Sequence, residues 1–169
     1  ITVSQTQTLR ARVRDAAGDW SPEIVAEFII PPPVPIFQPA GSGDWTQNDN
    51  WSSAPLAYPN RIGGTAIIPP GTGADRDVNL RAPVTIGQII FPQGNSPVRN
   101  RVRNRGTGNT LKFQNTNGPA RLEVGGWAEG YVEFEVAAGT TLQSDLQLHV
   151  TNLVGHAEHG ALRLRAGWF

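Results

Sequence analysis

Asn109-Thr110-Leu111-Lys112-Phe113 is followed by Pro119-Ala120-Arg121-Leu122-Glu123-Val124, and Gly160-Ala161-Leu162-Arg163-Leu164 repeats the theme. Each segment is a turn residue followed by apolar and polar side chains in alternation. Alternation with period two is the pattern of a β-strand with one buried face. The same kind of run occurs at Ala66-Ile67-Ile68, Val84 to Phe91, Val98 to Val102, Tyr131 to Val136, Thr141-Leu142 and Leu146 to Val150. Gly, Asn and Pro separate these runs at intervals of roughly ten residues. No window of a dozen residues places apolar side chains at i, i+3, i+4 and i+7, so almost no helix is expected.

Strands this short must shelter one another in layers. Asn104, Asn109, Asn115 and Asn117 recur near strand ends, as in stacked turns. The expected fold is therefore all-β, a short right-handed parallel β-solenoid over residues 37–169. A jelly-roll-like β-sandwich is the alternative.

The first thirty residues are organised differently. Leu9, Ala11 and Val13 alternate with Arg10, Arg12 and Arg14, and a turn cluster follows at Asp15 to Pro22. Beyond it, Ile24, Ala26, Phe28 and Ile30 share one strand face. Residues 1–30 thus predict a β-hairpin, which needs further partners because two strands alone are marginal in water. The run Pro31-Pro32-Pro33-Val34-Pro35 marks residues 31–36 as a stiff extended linker.

Composition narrows the chemistry. The chain has 169 residues, 14 Lys+Arg and 14 Asp+Glu, giving a formal net charge of zero. Bulk attraction to nucleic acid or anionic lipid is not expected. There is no Cys, hence no disulfide and no thiolate site, and no Met, so Ile1 is expected to be a processed end or an internal start. Residues 1–14 contain no signal-peptide core, and any leader is expected upstream. No stretch approaches the ~20 apolar residues that span a bilayer.

Candidate chemical groups are few. His156, Glu158 and His159 could form a three-ligand site with His149 nearby, but their spacing matches no zinc motif and a polar turn accounts for them. Asp44, Asn48, Asp49 and Asn50 lack the order of a calcium loop and suit an Asx-rich turn. Glu123, Glu133 and Glu135 could be offered as a glycosidase pair, yet the last two alternate with Val132, Phe134 and Val136 and belong on a solvated strand face. No metal, cofactor or catalytic residue is assigned, and the chain is expected not to be an enzyme.

The most distinctive segment is Val98-Arg99-Asn100-Arg101-Val102-Arg103-Asn104-Arg105. When it is extended, Arg99, Arg101, Arg103 and Arg105 lie on one face. They require anions, and a ladder against Glu123, Glu133 and Glu135 of a neighbouring strand is the expected solution. A subunit or an acidic polysaccharide is the other possible anion source. Trp45 and Trp51 are expected to plug the first turn of the domain; their functional alternative is stacking on sugar.

Two segments resemble known families. Ile1-Thr2-Val3, Thr8 to Asp15, Gly18-Asp19-Trp20-Ser21 and Ala26-Glu27-Phe28 resemble the last hairpin of the immunoglobulin-like or fibronectin-type module at the C-terminal end of bacterial chitobiase-type enzymes and surface proteins. Gly43-Asp44-Trp45, Asn50-Trp51-Ser52, Ala66 to Pro69, Val84 to Phe91 and Thr110 to Phe113 resemble the opening of autotransporter-passenger-like β-strand repeats in large bacterial exoproteins. These resemblances imply a secreted or cell-surface location and a non-catalytic structural role. The expected partners are copies of the chain or adjacent domains, joined into a fibre by strand addition. A carbohydrate-binding accessory module of a secreted polysaccharide-degrading enzyme is the competing expectation, with polysaccharide as its partner.

Overall fold

The computed structural model describes residues 7–28, 33–52, 57–92, 99–106, 108–125, 131–135, 140–142, 145–150 and 162–164. The chain divides into two compact units, Ile1–Pro33 and Val34–Phe169. The division falls inside the proline-rich run that the sequence marks as a linker.

The first unit is an antiparallel hairpin of β1 (Gln7–Ala11) and β2 (Ile24–Phe28). Its register sets Leu9 opposite Ala26 and Ala11 opposite Ile24, so the apolar residues share a face as the alternation predicts. On the other face, Arg10 and Arg12 lie 3.2 and 3.8 Å from the Glu23 carboxylate. Val13, Ile24 and Val25 are exposed.

The second unit is all-β, with twelve strands and a single 3₁₀ turn, Asn48–Asn50, among the described residues. The first strand is β3 (Gly43–Asp44), and the rest visit three parallel sheets in strict rotation. β4 (Thr65–Ile67), β7 (Gln88–Phe91), β10 (Ala120–Val124) and β13 (Leu146–Val150) form the first sheet. β3, β5 (Arg76–Leu80), β8 (Arg99–Asn104), β11 (Tyr131–Glu135) and β14 (Leu162–Leu164) form the second. β6 (Val84–Ile86), β9 (Leu111–Phe113) and β12 (Thr140–Leu142) form the third. Every ladder between these strands is parallel, whereas the jelly-roll alternative needs antiparallel neighbours.

Parallel register stacks like side chains in columns. Ala66, Ile89 and Leu122 form one inward column, and Val84 with Leu111, Ile86 with Phe113, and Val78 with Val102 form others. All are buried. The chain turns from the third sheet into the first at a single residue, Gly87. A Cβ there would lie 2.6 Å from the Gly63 Cα of the preceding turn, so only glycine fits.

The start of this unit is closed by aromatics. Phe37, Trp45 and Trp51 are at most 1 % exposed. Their rings meet edge to face, with centroids 5.2 Å apart for Phe37–Trp51 and 5.0 Å for Trp45–Trp51. Each indole N–H is satisfied: Trp45 donates to the Pro59 carbonyl at 2.9 Å and Trp51 to the Trp45 carbonyl at 2.8 Å.

Candidate functional site

The arginine run lies on β8 with the expected alternation. Asn100 and Val102 point inward and are fully buried, while Arg99, Arg101 and Arg103 project from the other face. On one side, β5 and Asp75 just before it supply the anions. Arg99 donates from its backbone N–H to Asp75 Oδ1 at 3.0 Å and from Nε to Oδ2 at 2.5 Å. Arg101 Nε stands 2.6 Å from Asp77 Oδ1, and Arg103 and Arg105 reach Asp77 Oδ2 at 3.0 and 3.1 Å. Arg105 also donates to Asn79 Oδ1 at 3.2 Å. On the other side, β11 places Glu133 in register with Arg101 and Glu135 with Arg103. Glu133 is buried.

One register column therefore runs Asp77, Arg101, Glu133, alternating in sign from strand to strand. Parallel strands lie ~4.8 Å apart, so each charge meets an opposite one above or below. The Asp75 carboxyl is held below its ordinary value of 3.8, chiefly by the Arg99 hydrogen bond. Burial pushes Asp77 upward, but hydrogen bonds from Arg103 and Arg101 outweigh it and leave its carboxyl lowered as well.

Glu123 is not part of this ladder. It lies on β10, in a different sheet, where it accepts from Gln88 Nε2 at 2.9 Å and lies 3.4 Å from Arg121. Asp75 and Asp77 do the work expected of it. Their alternation, Asp75-Arg76-Asp77-Val78-Asn79-Leu80, is a period-two signal that the flanking Pro and Gly residues obscure.

Arg76 points the other way, into the core. It is 2 % exposed, and its guanidinium donates to Asn100 Oδ1 at 2.9 Å, to the Pro39 carbonyl at 3.0 Å and to the Pro69 carbonyl. Its carbon centre also lies 5.4 Å from the Phe37 ring centroid. Burial lowers its pKa to about 10, so it remains cationic at neutral pH.

The sugar-stacking expectation for Trp45 and Trp51 is overturned. Both rings are 0 % exposed and packed on each other, so neither offers a face to a sugar. Asp44 is engaged by Arg81 Nε at 2.7 Å, and Asn48 Oδ1 accepts from the Tyr58 backbone, in keeping with a turn rather than a calcium loop. No group of three metal-ligating side chains occurs among the described residues. His156, Glu158 and His159 lie outside the described residues, as do Val98, Trp127 and Trp168.

One shallow depression of about 210 Å³ opens on the outer face of the first sheet, beside Ile90, Pro92, Glu123, Gly125 and His149. Glu123 and His149 are register neighbours there. The Glu123 carboxylate accepts from Gln88 Nε2 there and lies 3.4 Å from Arg121. Compared with protein families, curated proteins and solved structures, the chain matches none.

Proposed function

We propose that this chain is a non-catalytic structural module of a bacterial secreted or cell-surface protein, built as a short right-handed parallel β-solenoid. In this reading it is a fibre subunit whose copies join by strand addition. The observation that carries it is the rotation of the chain through three parallel sheets with side chains stacked in columns. Such a layout supports a stack of layers whose outer charges neutralise one another. The four arginines support it further. They are spent on Asp75, Asp77 and the β11 register, so their role is cohesion between layers. The extracellular placement rests on the resemblance to exoprotein repeats.

Negative-stain imaging of the purified chain tests the proposal. Elongated assemblies at micromolar concentration are expected. Uniform single particles at every concentration would remove the fibre role.

A further inference from the structure

Asn104, Asn109, Asn115 and Asn117 recur near strand ends, and the structure separates the last from the other three. Asn104 donates from Nδ2 to the Asn109 carbonyl at 2.8 Å, Asn109 to the Leu80 carbonyl of β5 at 3.0 Å, and Asn115 to the Pro119 carbonyl at 3.0 Å. These three amides are buried or half-buried and tie turns together. An amide bonded in this way is held in one direction and spends its donor there. Asn117 is exposed, as are Thr116, Gly118 and Pro119 around it. Among the described residues, no hydrogen bond holds its side chain.

The residue that follows gives this exposure a chemical consequence. Asn117 is the only asparagine of the chain that precedes a glycine. Gly118 takes a left-handed φ of +74°, and a Cβ built on it would meet nothing within 4 Å among the described residues. With no side chain of its own and open space on that side, it does not shield its backbone nitrogen. The turn is fixed at its flanks instead. Gln114 donates to the Ile86 carbonyl at 2.8 Å, Gly63 donates to the Gln114 carbonyl at 3.0 Å, and the Asn115–Pro119 bond closes across the Asn-Gly pair.

We propose that Asn117 is a self-modification site, at which the folded chain deamidates through attack by its own backbone. The Gly118 nitrogen bonds to Asn117 Cγ, the Cγ–Nδ2 bond breaks, and the Gly118 amide proton leaves with Nδ2 as ammonia. The two reacting groups are neighbours in one chain, so the step is intramolecular. Water then opens the five-membered imide. Attack at Cγ restores the backbone and leaves aspartate; attack at the Asn117 carbonyl carbon leaves isoaspartate, with the chain continuing through Cγ. Either product adds one negative charge to a chain whose formal net charge is zero. Isoaspartate also lengthens the turn by one backbone carbon, between flanks that β9 and β10 hold through their ladders with β6 and β7. This chemistry is independent of the fibre reading.

Incubation of the full chain in mildly alkaline buffer at body temperature tests the site. Ion exchange should resolve a growing acidic species, and peptide mapping by mass spectrometry should place a gain of about 1 Da on Asn117, divided between aspartate and isoaspartate. Asn104, Asn109 and Asn115 should stay unmodified, and circular dichroism should not change. Asn117→Gln, at an exposed position, should keep the fold and form the acidic species at least about tenfold more slowly, because its longer side chain must close a six-membered ring. A denatured sample serves as the reference for the unrestrained Asn-Gly pair. A folded chain that stays unmodified while the denatured one reacts would overturn the proposal, since the turn would then be holding Asn117 out of reach. So would an acidic species that persists in Asn117→Gln or that maps to one of the three tied asparagines.

Discussion

Arg101 Nε lies 2.6 Å from Asp77 Oδ1 across adjacent parallel strands, although 24 residues separate the two in the chain. The same carboxylate also receives Arg103 and Arg105. Asp77→Ala therefore removes a shared anion from three guanidinium groups at once. The Asp77 side chain is only 10 % exposed, so solvent screens the loss incompletely. A stability loss of about 2–3 kcal/mol is expected by chemical denaturation. Asp75→Ala, where the carboxylate is 30 % exposed and the partner Arg99 side chain 40 %, should cost less than about 1 kcal/mol. Equal losses at the two positions would contradict the layered ladder.

Acid should loosen the fold through the same groups. Both carboxyls hold their charge to lower pH when folded than the ordinary value of 3.8 allows. Their stabilisation is complete above that value and disappears as pH falls through the lower folded values. Thermal melts should show no loss from these groups between pH 7 and about 5, and a steep loss below about 4. The Asp77→Asn variant should start less stable and lose less in acid.

Trp51→Ala should cost about 3–5 kcal/mol, because it empties the centre of the aromatic plug and leaves the Trp45 carbonyl without its donor. Trp51→Phe should lose less, since a ring still fills part of the space. Differential scanning calorimetry would separate the two. No glycan should bind the native chain through Trp45 or Trp51.

The Arg76–Asn100 pair should behave as a unit. Asn100→Val removes an acceptor from a buried cation, and Arg76→Met removes the donor from Asn100 Oδ1 and two carbonyls. Each single change should destabilise by about 1–3 kcal/mol. The double variant should cost less than their sum, since each single change breaks the same Arg76–Asn100 hydrogen bond and the double loses it only once. A strictly additive double-mutant cycle would show that the two residues do not cooperate.

Gly87→Ala should be far more damaging than Gly41→Ala. At Gly87 the added methyl meets the backbone of Gly63 at 2.6 to 3.0 Å, and backbone cannot swing aside. At Gly41 nothing lies within 4 Å. A loss of about 1–3 kcal/mol is expected at the first position and almost none at the second.

Much of this was legible in the residues. Leu111-Lys112-Phe113 and Ala120 to Val124 alternate with period two, and both are strands with the apolar set buried. Leu9, Ala11, Ile24 and Ala26 share a hairpin face as their spacing requires. The proline run marks the division between the units. The demand of Arg99, Arg101, Arg103 and Arg105 for anions was equally readable, because like charges on one strand face repel. The source of those anions was misread in part. Glu123 has the right charge but stands in another sheet, and Asp75 and Asp77 sit in a segment whose turn residues mask its strand character.

Strand character and the inward or outward direction of each side chain were decided locally, because the pleat alternates side chains with no reference to the rest of the chain. Which strands lie side by side was decided only by tertiary structure. Turns of unequal length bring Asp77, Arg101 and Glu133 into one column, and no local pattern encodes those lengths as neighbours. The fate of Trp45 and Trp51 was settled at the same level: an indole buries itself or faces solvent according to what packs around it.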